Sequence, residues 1–449
     1  MKDMYIETDE DIMIIDYSAK QSIYINEFNS TLKEIEVEEK RIGLCLDDNE
    51  LIMPILQCLE DYKCIIEFLN SKLFKDSIGE ANEYLDYIIT DKEIIELKYN
   101  NKIVTNLFNK KVYIFFLENS SGKNIKEKIY VYYTSGSTGR PKKVYKKEKA
   151  VLDEARAIVQ RLKLSDEDMI LCVASCNHVF AQSVACFAAL EARCKVVYLS
   201  PLSSPNNVIN KIKKYDFSIL LASPIYYEFL CDFYKELSKI RLLLTGGAKL
   251  SDKVLNSELK ITNFYGSTET GIIAVNDERK KQKEYVGEVL KEVKIVWKDN
   301  YIYKHCREIS ICSPFNAYKI CEGNYEIKIE DLINLHDIGY QKANDLYIVG
   351  RTDNIVNIYG MKISCLEVEQ IINKCQQVDK AIVTKYRDAT GEHMQAYVKM
   401  KVKSIENEKV IREFCLQKLE KCKIPSKITF VNNILYNEIG KIRMKDIGK

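Results

Sequence analysis

Little in this sequence points to a membrane, a secretory route or a metal cluster. It has one tryptophan, seven prolines and only four histidines in 449 residues. No stretch approaches the run of about 18 uncharged apolar residues that a membrane-spanning helix needs. The opening MKDMYIETDEDIMIID is acidic and broken by charges, unlike a secretory leader. No Cys-x-x-Cys pair occurs. Cys176 and His178 lie close together, but a zinc site would need two more ligands at suitable spacing. The net charge of +2, from 67 basic and 65 acidic residues, leaves no electrostatic footprint for nucleic acid or an anionic membrane. The 15 cysteines are odd in number, scattered and mostly inside apolar runs, so most of them read as reduced core residues of a cytoplasmic protein.

What is present suits a soluble chain with a sizeable core. Hydrophobic residues make up 46% and charged residues 29%. The length allows two or three units. Short apolar runs recur as strand candidates: RIGLCL (41–46), IIEFL (65–69), YIIT (87–90), IYVYY (129–133), MILCVAS (169–175), CKVVYLS (194–200), FSILLAS (217–223) and IRLLLTG (240–246). Amphipathic segments such as 151–164 and 207–215 lie between them. This alternation predicts a parallel sheet covered by helices. From Tyr285 the strands become shorter, more polar and alternating, which predicts antiparallel pairing. Strands over 378–386 and 394–402 and a helix over 410–419 predict a smaller α+β module at the end.

The segment YVYYTSGSTGRPKKV (130–144) carries the most chemistry. An apolar strand runs into Thr134, Ser135, Gly136, Ser137, Thr138 and Gly139, then Pro141 and Lys142. Two glycines let the backbone approach a ligand closely, and freed N–H groups, four hydroxyls and a lysine can surround a polyphosphate. The GxxxxGK[ST] spacing of a Walker loop is absent. The lysine-dense stretch 142–149 that follows reads either as a solvated basic surface or as a source of phosphate attraction.

This segment resembles the phosphate-loop signature YTSGTTGxPKG of the adenylate-forming superfamily, which includes acyl- and aryl-CoA ligases and peptide-synthetase adenylation domains. Further signatures follow in order. SCNHVFAQSVACFAAL (175–190) resembles the PLFHxxG segment, with His178 at the histidine that borders the carboxylate pocket. Peptide-synthetase domains carry an Asp here for the substrate's α-ammonium. None is present, which argues against an amino-acid substrate. TGGAKL (245–250) resembles the turn whose backbone, at Gly247 and Ala248, borders adenine. TNFYGSTETG (262–271) is similar to NxYGxTE. The resemblance implies that Asn263 meets the adenine edge, Tyr265 stacks, Gly266 is part of the nucleotide-binding set, Thr268 bonds the α-phosphate and Glu269 holds Mg²⁺. Ser223, Tyr226 and Thr270 would help wall the acid pocket.

LHDIGYQKANDLYIVGRTDNIVNIYGMKIS (335–364) resembles the block in which Asp337 and Arg351 bind the ribose hydroxyls, Asp353 is the hinge, and Gly360 lies on the loop facing the pantetheine arm. KIPSKITFVNNILYNEIGKIRMKDI (423–447) resembles the family ending, with Lys441 as catalytic lysine. The implied architecture is a large nucleotide- and carboxylate-binding domain over 1–350, with parallel and mixed sheets flanked by helices. A hinge at 351–353 then leads to a small mobile α+β lid over 354–449. The implied reaction joins a carboxylic acid to AMP from ATP with Mg²⁺, releasing pyrophosphate, and passes the acyl group to coenzyme A. Alternatives are loading of a carrier protein's phosphopantetheine and a degenerate nucleotide-binding paralogue with a regulatory role. Departures from the pattern are Lys143 for a glycine, Leu335 and His336 for Thr-Gly, Asn357 for a lysine and Leu435 for a proline.

Overall fold

A computed structural model describes residues 5–9, 12–17, 23–69, 84–94, 97–108, 110–117, 125–135, 141–299, 306–323, 325–358, 361–388, 391–402 and 408–434. The chain packs into two units, Met1–Lys294 with Cys312–Ile333, and Ile295–Ile311 with Asn334–Lys449.

The first unit is built on two sheets. In one, the strand order is Tyr325–Lys328, Lys319–Glu322, Pro141–Lys147, Ile129–Ser135, Ile65–Phe68, Arg41–Cys45, Tyr87–Thr90, Lys110–Phe116 and Asn101–Leu107. Its centre is parallel: Arg41–Cys45 pairs with Ile65–Phe68 and with Tyr87–Thr90, and Ile65–Phe68 pairs with Ile129–Ser135. In the other, Lys195–Tyr198, Met169–Cys172, Ile219–Leu221, Leu242–Gly246 and Ile261–Ser267 run parallel in that order. Gly271–Asn276 and Tyr285–Val289 continue it in antiparallel fashion. These strands are short apolar runs because both faces are covered. Leu171, Val197, Leu220 and Leu243 pack with Val208, Ile212, Tyr227 and Leu230 from flanking helices in one buried cluster. Each such side chain contributes about 1.5–3 kcal/mol on burial. The helix Pro205–Lys214 starts where Pro205 follows Ser204, whose hydroxyl accepts from the Asn207 N–H at 3.3 Å.

In the second unit the strands Ile333–Lys342 and Asp345–Arg351 form a hairpin, with Asp337 opposite Arg351. Val378–Asp388, Gly391–Met400 and Lys427–Phe430 form a three-stranded sheet. The helices Cys365–Ile372 and Glu408–Leu416 share its core through Val368, Ile372, Ile411 and Cys415. The class is therefore mixed α/β with a smaller C-terminal α+β part. The edge hairpin Tyr5–Asp9/Ile12–Asp16, the hairpin Asn101–Leu107/Lys110–Phe116 and the strand Pro141–Lys147 are additions to the strands read from the sequence.

All 15 cysteines are free. Burial pushes Cys45, Cys58, Cys64 and Cys194 up to about 12, and Cys365 and Cys415 to about 11. Among the described residues no helix is long and apolar enough to cross a membrane, and no group of three or more His, Cys, Asp or Glu could hold a metal.

Candidate active site

Most sequence-predicted site residues of the first unit lie where its parallel strands end. Gly247 and Ala248 follow Leu242–Gly246; Asn263, Tyr265 and Gly266 lie on Ile261–Ser267. His178 follows Met169–Cys172 through a turn. The space beyond the carboxyl ends of parallel strands is where such sheets take ligands, because loops diverge there and backbone groups are left over. Asn49 fixes the turn before His178. Its Nδ2 donates to the Ala174 carbonyl at 3.1 Å, and its Oδ1 accepts from the Cys176 N–H at 2.9 Å. His178 itself is half-buried, and its carbonyl accepts from the Gln182 N–H at 3.2 Å.

The turn between Ile261–Ser267 and Gly271–Asn276 presents Thr268 and Glu269. It is closed internally, since the Thr270 N–H donates to Ser267 Oγ at 3.2 Å and Thr270 Oγ1 donates to the Gly271 carbonyl at 3.1 Å. From outside, the Ala317 N–H donates to the Glu269 carbonyl at 2.7 Å. Thr270 is thus fully buried and spends its hydroxyl on the turn, while Tyr226 donates its own to the Ser203 carbonyl at 2.7 Å. Among the described residues the Thr268 hydroxyl and the Glu269 carboxylate take part in no hydrogen bond or ion pair.

Asn263 Oδ1 is a buried acceptor with no partner among the described residues. Such an atom costs about 1–3 kcal/mol if left unmade, and an amino edge such as adenine's would satisfy it. Gly247, at φ +85°, has open space where a side chain would start. These features fit a purine nucleotide. A half-buried carboxylate with no cation among the described residues, next to the Thr268 hydroxyl, fits Mg²⁺ shared with phosphate oxygens.

The phosphate-loop segment connects two paired strands. Thr134 lies opposite Lys142 and Ser135 opposite Pro141. Gly136, Ser137, Thr138 and Gly139 lie outside the described residues, as do Gly360, Leu435 and Lys441. Lys142 is half-buried and pairs with Glu322 at 3.1 Å. Lys143, in place of the pattern's glycine, reaches Glu67 at 3.6 Å and lies 3.7 Å from the centre of the Tyr84 ring. Glu67 is fully buried, accepts from the Tyr133 hydroxyl at 2.7 Å, and pairs with Arg41 at 3.3 Å. Burial lowers the Lys143 pKa, with Glu67 opposing that shift. Lys146 is fully buried and pairs with Glu154 at 3.0 Å. The lysine stretch is thus no uniformly solvated face. Four of its members, Lys142, Lys143, Lys146 and Lys147, are held by carboxylates distant in sequence or on the following helix, and no local pattern announces those partners.

In the second unit Arg351 Nη1 donates to Asp337 Oδ1 at 2.9 Å, and Asp337 is almost wholly buried. His336, where the pattern has glycine, keeps a left-handed backbone at φ +60°. Its N–H donates to Asn334 Oδ1 at 2.8 Å, its ring lies 3.3 Å from Glu308, and the Thr352 hydroxyl donates to its carbonyl at 3.3 Å. These bonds offset the ~1–2 kcal/mol that a side chain costs in this region. Asp353 sits in the turn Thr352–Asn354, and Asn357 lies on Ile355–Ile358 opposite Lys362.

Comparison with known proteins bears on the family and the fold. The family model for AMP-binding enzymes matches residues 89–302, and that for the AMP-binding enzyme C-terminal domain matches residues 367–441. The chain is 26% identical to 3,4-dihydroxybenzoate–[aryl-carrier protein] ligase of Bacillus anthracis, over 71% of this chain and 73% of that protein. It is 23% identical to peroxisomal OPC-8:0-CoA ligase 1 of Arabidopsis thaliana, over 98% of this chain and 90% of that one. Its fold is similar to o-succinylbenzoate CoA synthetase from Bacillus subtilis, solved with an acyl-adenylate. The TM-score is 0.73 at 18% identity, covering 95% of this chain and 92% of the other. The motifs, their places at the strand ends and these matches together make the chain a member of the AMP-binding enzyme family, the adenylate-forming superfamily.

Proposed function

We propose that this protein is an AMP-forming acid–thiol ligase. It activates an aryl or acyl carboxylic acid with ATP, releases pyrophosphate, and transfers the acyl group to coenzyme A. The observation that carries the reading is the turn Ser267–Gly271, which presents a Thr268 hydroxyl and a Glu269 carboxylate without partners among the described residues, at the end of the strand that also carries Asn263. A carboxylate is a poor electrophile, so its oxygen attacks the α-phosphorus, the bond to pyrophosphate breaks, and a mixed anhydride forms. Catalysis is then positioning plus neutralisation of phosphate charge. Asn263 and Tyr265 hold the base, Gly247 and Ala248 border it, and Asp337 and Arg351 bind the ribose. The loop Thr134–Gly139 and Lys142 hold the phosphates, with Thr268 on the α-phosphate. Mg²⁺, held by Glu269 and phosphate oxygens, supplies further neutralisation when bound. His178 borders the acid, and Lys441 bridges acid and α-phosphate. Rotation at the 351–353 hinge, about Asp353, exchanges Lys441 for the Gly360 loop and admits the thiol. The protein is placed in the cytoplasm, in keeping with its free thiols.

Transfer to a carrier protein's phosphopantetheine is the second reading, favoured by the similarity to the aryl-carrier protein ligase. Pyrophosphate release across a panel of acids tests the first step, and no release with any acid would reject it. Supplying coenzyme A or a phosphopantetheinylated carrier then decides the acceptor by which one consumes the adenylate.

The Lys142–Glu322 pair gives a separate expectation. The triphosphate competes with Glu322 for this lysine, and a half-exposed pair is worth up to about 1 kcal/mol. Glu322→Gln should therefore lower the KM for ATP by about two- to fivefold with little change in kcat. An unchanged KM would mean that Lys142 does not meet the nucleotide.

A further inference from the structure

We infer that Glu154 is a positioning residue for adenylation, acting through its hydrogen bond to the backbone at Ile272; this rests on the adenylation reading above. Glu154 lies on the helix Glu148–Leu162, which continues directly from the strand Pro141–Lys147 that leaves the phosphate loop. Its two carboxylate oxygens go to different places. Oε2 takes Lys146 Nζ at 3.0 Å, on the phosphate-loop strand of one sheet. Oε1 accepts from the Ile272 N–H at 3.1 Å, at the start of the strand that leaves the Thr268–Glu269 turn of the other sheet. Both side chains are essentially removed from solvent. One carboxylate therefore ties together the two segments that hold the same phosphates.

The local backbone is shaped around that contact. Gly271 has φ +70°, and a Cβ there would come within 2.9 Å of the Glu154 carboxylate and of Phe315 Cβ. The strand pairing shifts register between Tyr265 and Gly266, directly across from this point. A turn that begins at a bulge and ends at a left-handed glycine has few ladder bonds to fix its tip. The carboxylate supplies one from outside, in an interior where a charge-assisted bond is strong.

A pair serving stability alone and a strut serving position respond oppositely to two variants. Glu154→Asp keeps the charge for Lys146 but, one methylene shorter, gives up the reach to Ile272. The double variant Lys146→Met with Glu154→Gln removes both charges but keeps the acceptor at Ile272, and replacing a buried ion pair as a unit is generally tolerated. If Glu154 positions the turn, Glu154→Asp lowers kcat for ATP–pyrophosphate exchange about tenfold or more with the KM for the acid unchanged. It also speeds hydrogen exchange at the Thr268–Ile272 amides, free and with Mg·ATP. The Met/Gln variant keeps kcat within about threefold and the same amides protected. The reverse order, or wild-type kcat and exchange in a folded Glu154→Asp protein, overturns the inference. Should Glu154→Asp not fold, loss of amide protection in the Met/Gln protein overturns it, and retention at wild-type kcat supports it. The amide readout needs no acid substrate. If no acid releases pyrophosphate, the functional reading fails while the strut is still judged by exchange in the presence of Mg·ATP.

Discussion

Lys441→Ala is expected to slow ATP–pyrophosphate exchange about a thousandfold while ATP affinity stays within a few-fold of wild type. A unit charge pair at about 4 Å is worth about 4 kcal/mol at an effective dielectric of 20, and this is the size of effect that one fixed cation can have on the developing charge at phosphorus. The base and ribose contacts proposed above belong to other residues, so ground-state binding of ATP should be largely preserved. Such a split, with kcat lost and affinity kept, marks an interaction made mainly in the transition state. Pyrophosphate exchange together with calorimetric titration of ATP measures both halves. An alanine protein that forms adenylate at the normal rate would remove this lysine from the mechanism.

Gly266→Ala should do comparable damage by a different route. A Cβ at 266 would lie 2.2 Å from the Gly271 carbonyl oxygen and 3.0 Å from Gly271 C and Ile272 Cα. These are backbone atoms, so no side chain can swing aside. Ile261–Ser267 and Gly271–Asn276 must move apart, and the turn bearing Thr268 and Glu269 moves with them. Overpacking of this kind costs about 1–3 kcal/mol. A displacement of about 1 Å at the reacting groups costs about a hundredfold in rate. The expected result is a lower denaturation midpoint together with loss of nearly all pyrophosphate exchange. A protein with the wild-type midpoint and rate would show that the two strands have slack which their spacing denies. Gly247 makes a different demand: nothing lies within 4 Å of its would-be Cβ, and its requirement is the left-handed backbone alone.

Much of the fold was legible because its central strands are buried on both faces. Met169–Cys172 and the leucines of Leu242–Gly246 appear in the sequence as apolar runs for that reason. Pro141–Lys147 was not, since PKKVYKK reads as a basic surface. Lys146 is nonetheless as deeply buried as Val144, because Glu154 neutralises it from the following helix. The site's motifs were legible through order and spacing, and the His336 departure is accommodated at a left-handed backbone, a conformation that glycine adopts readily. What spacing could not reveal were the carboxylates that hold the lysines after the phosphate loop. Glu67 and Glu322 come from remote strands, and they meet Lys143 and Lys142 only once the sheet has formed.

The deep placement of the thiols bears on chemoselectivity. An acyl-adenylate is electrophilic enough to acylate any sulfur anion it meets. A cysteine raised to about 12 is ionised to only about one part in a hundred thousand at neutral pH, and one walled in by packed side chains is also out of reach. Self-acylation at Cys45, Cys58, Cys64 and Cys194 is suppressed by the same packing that makes the core.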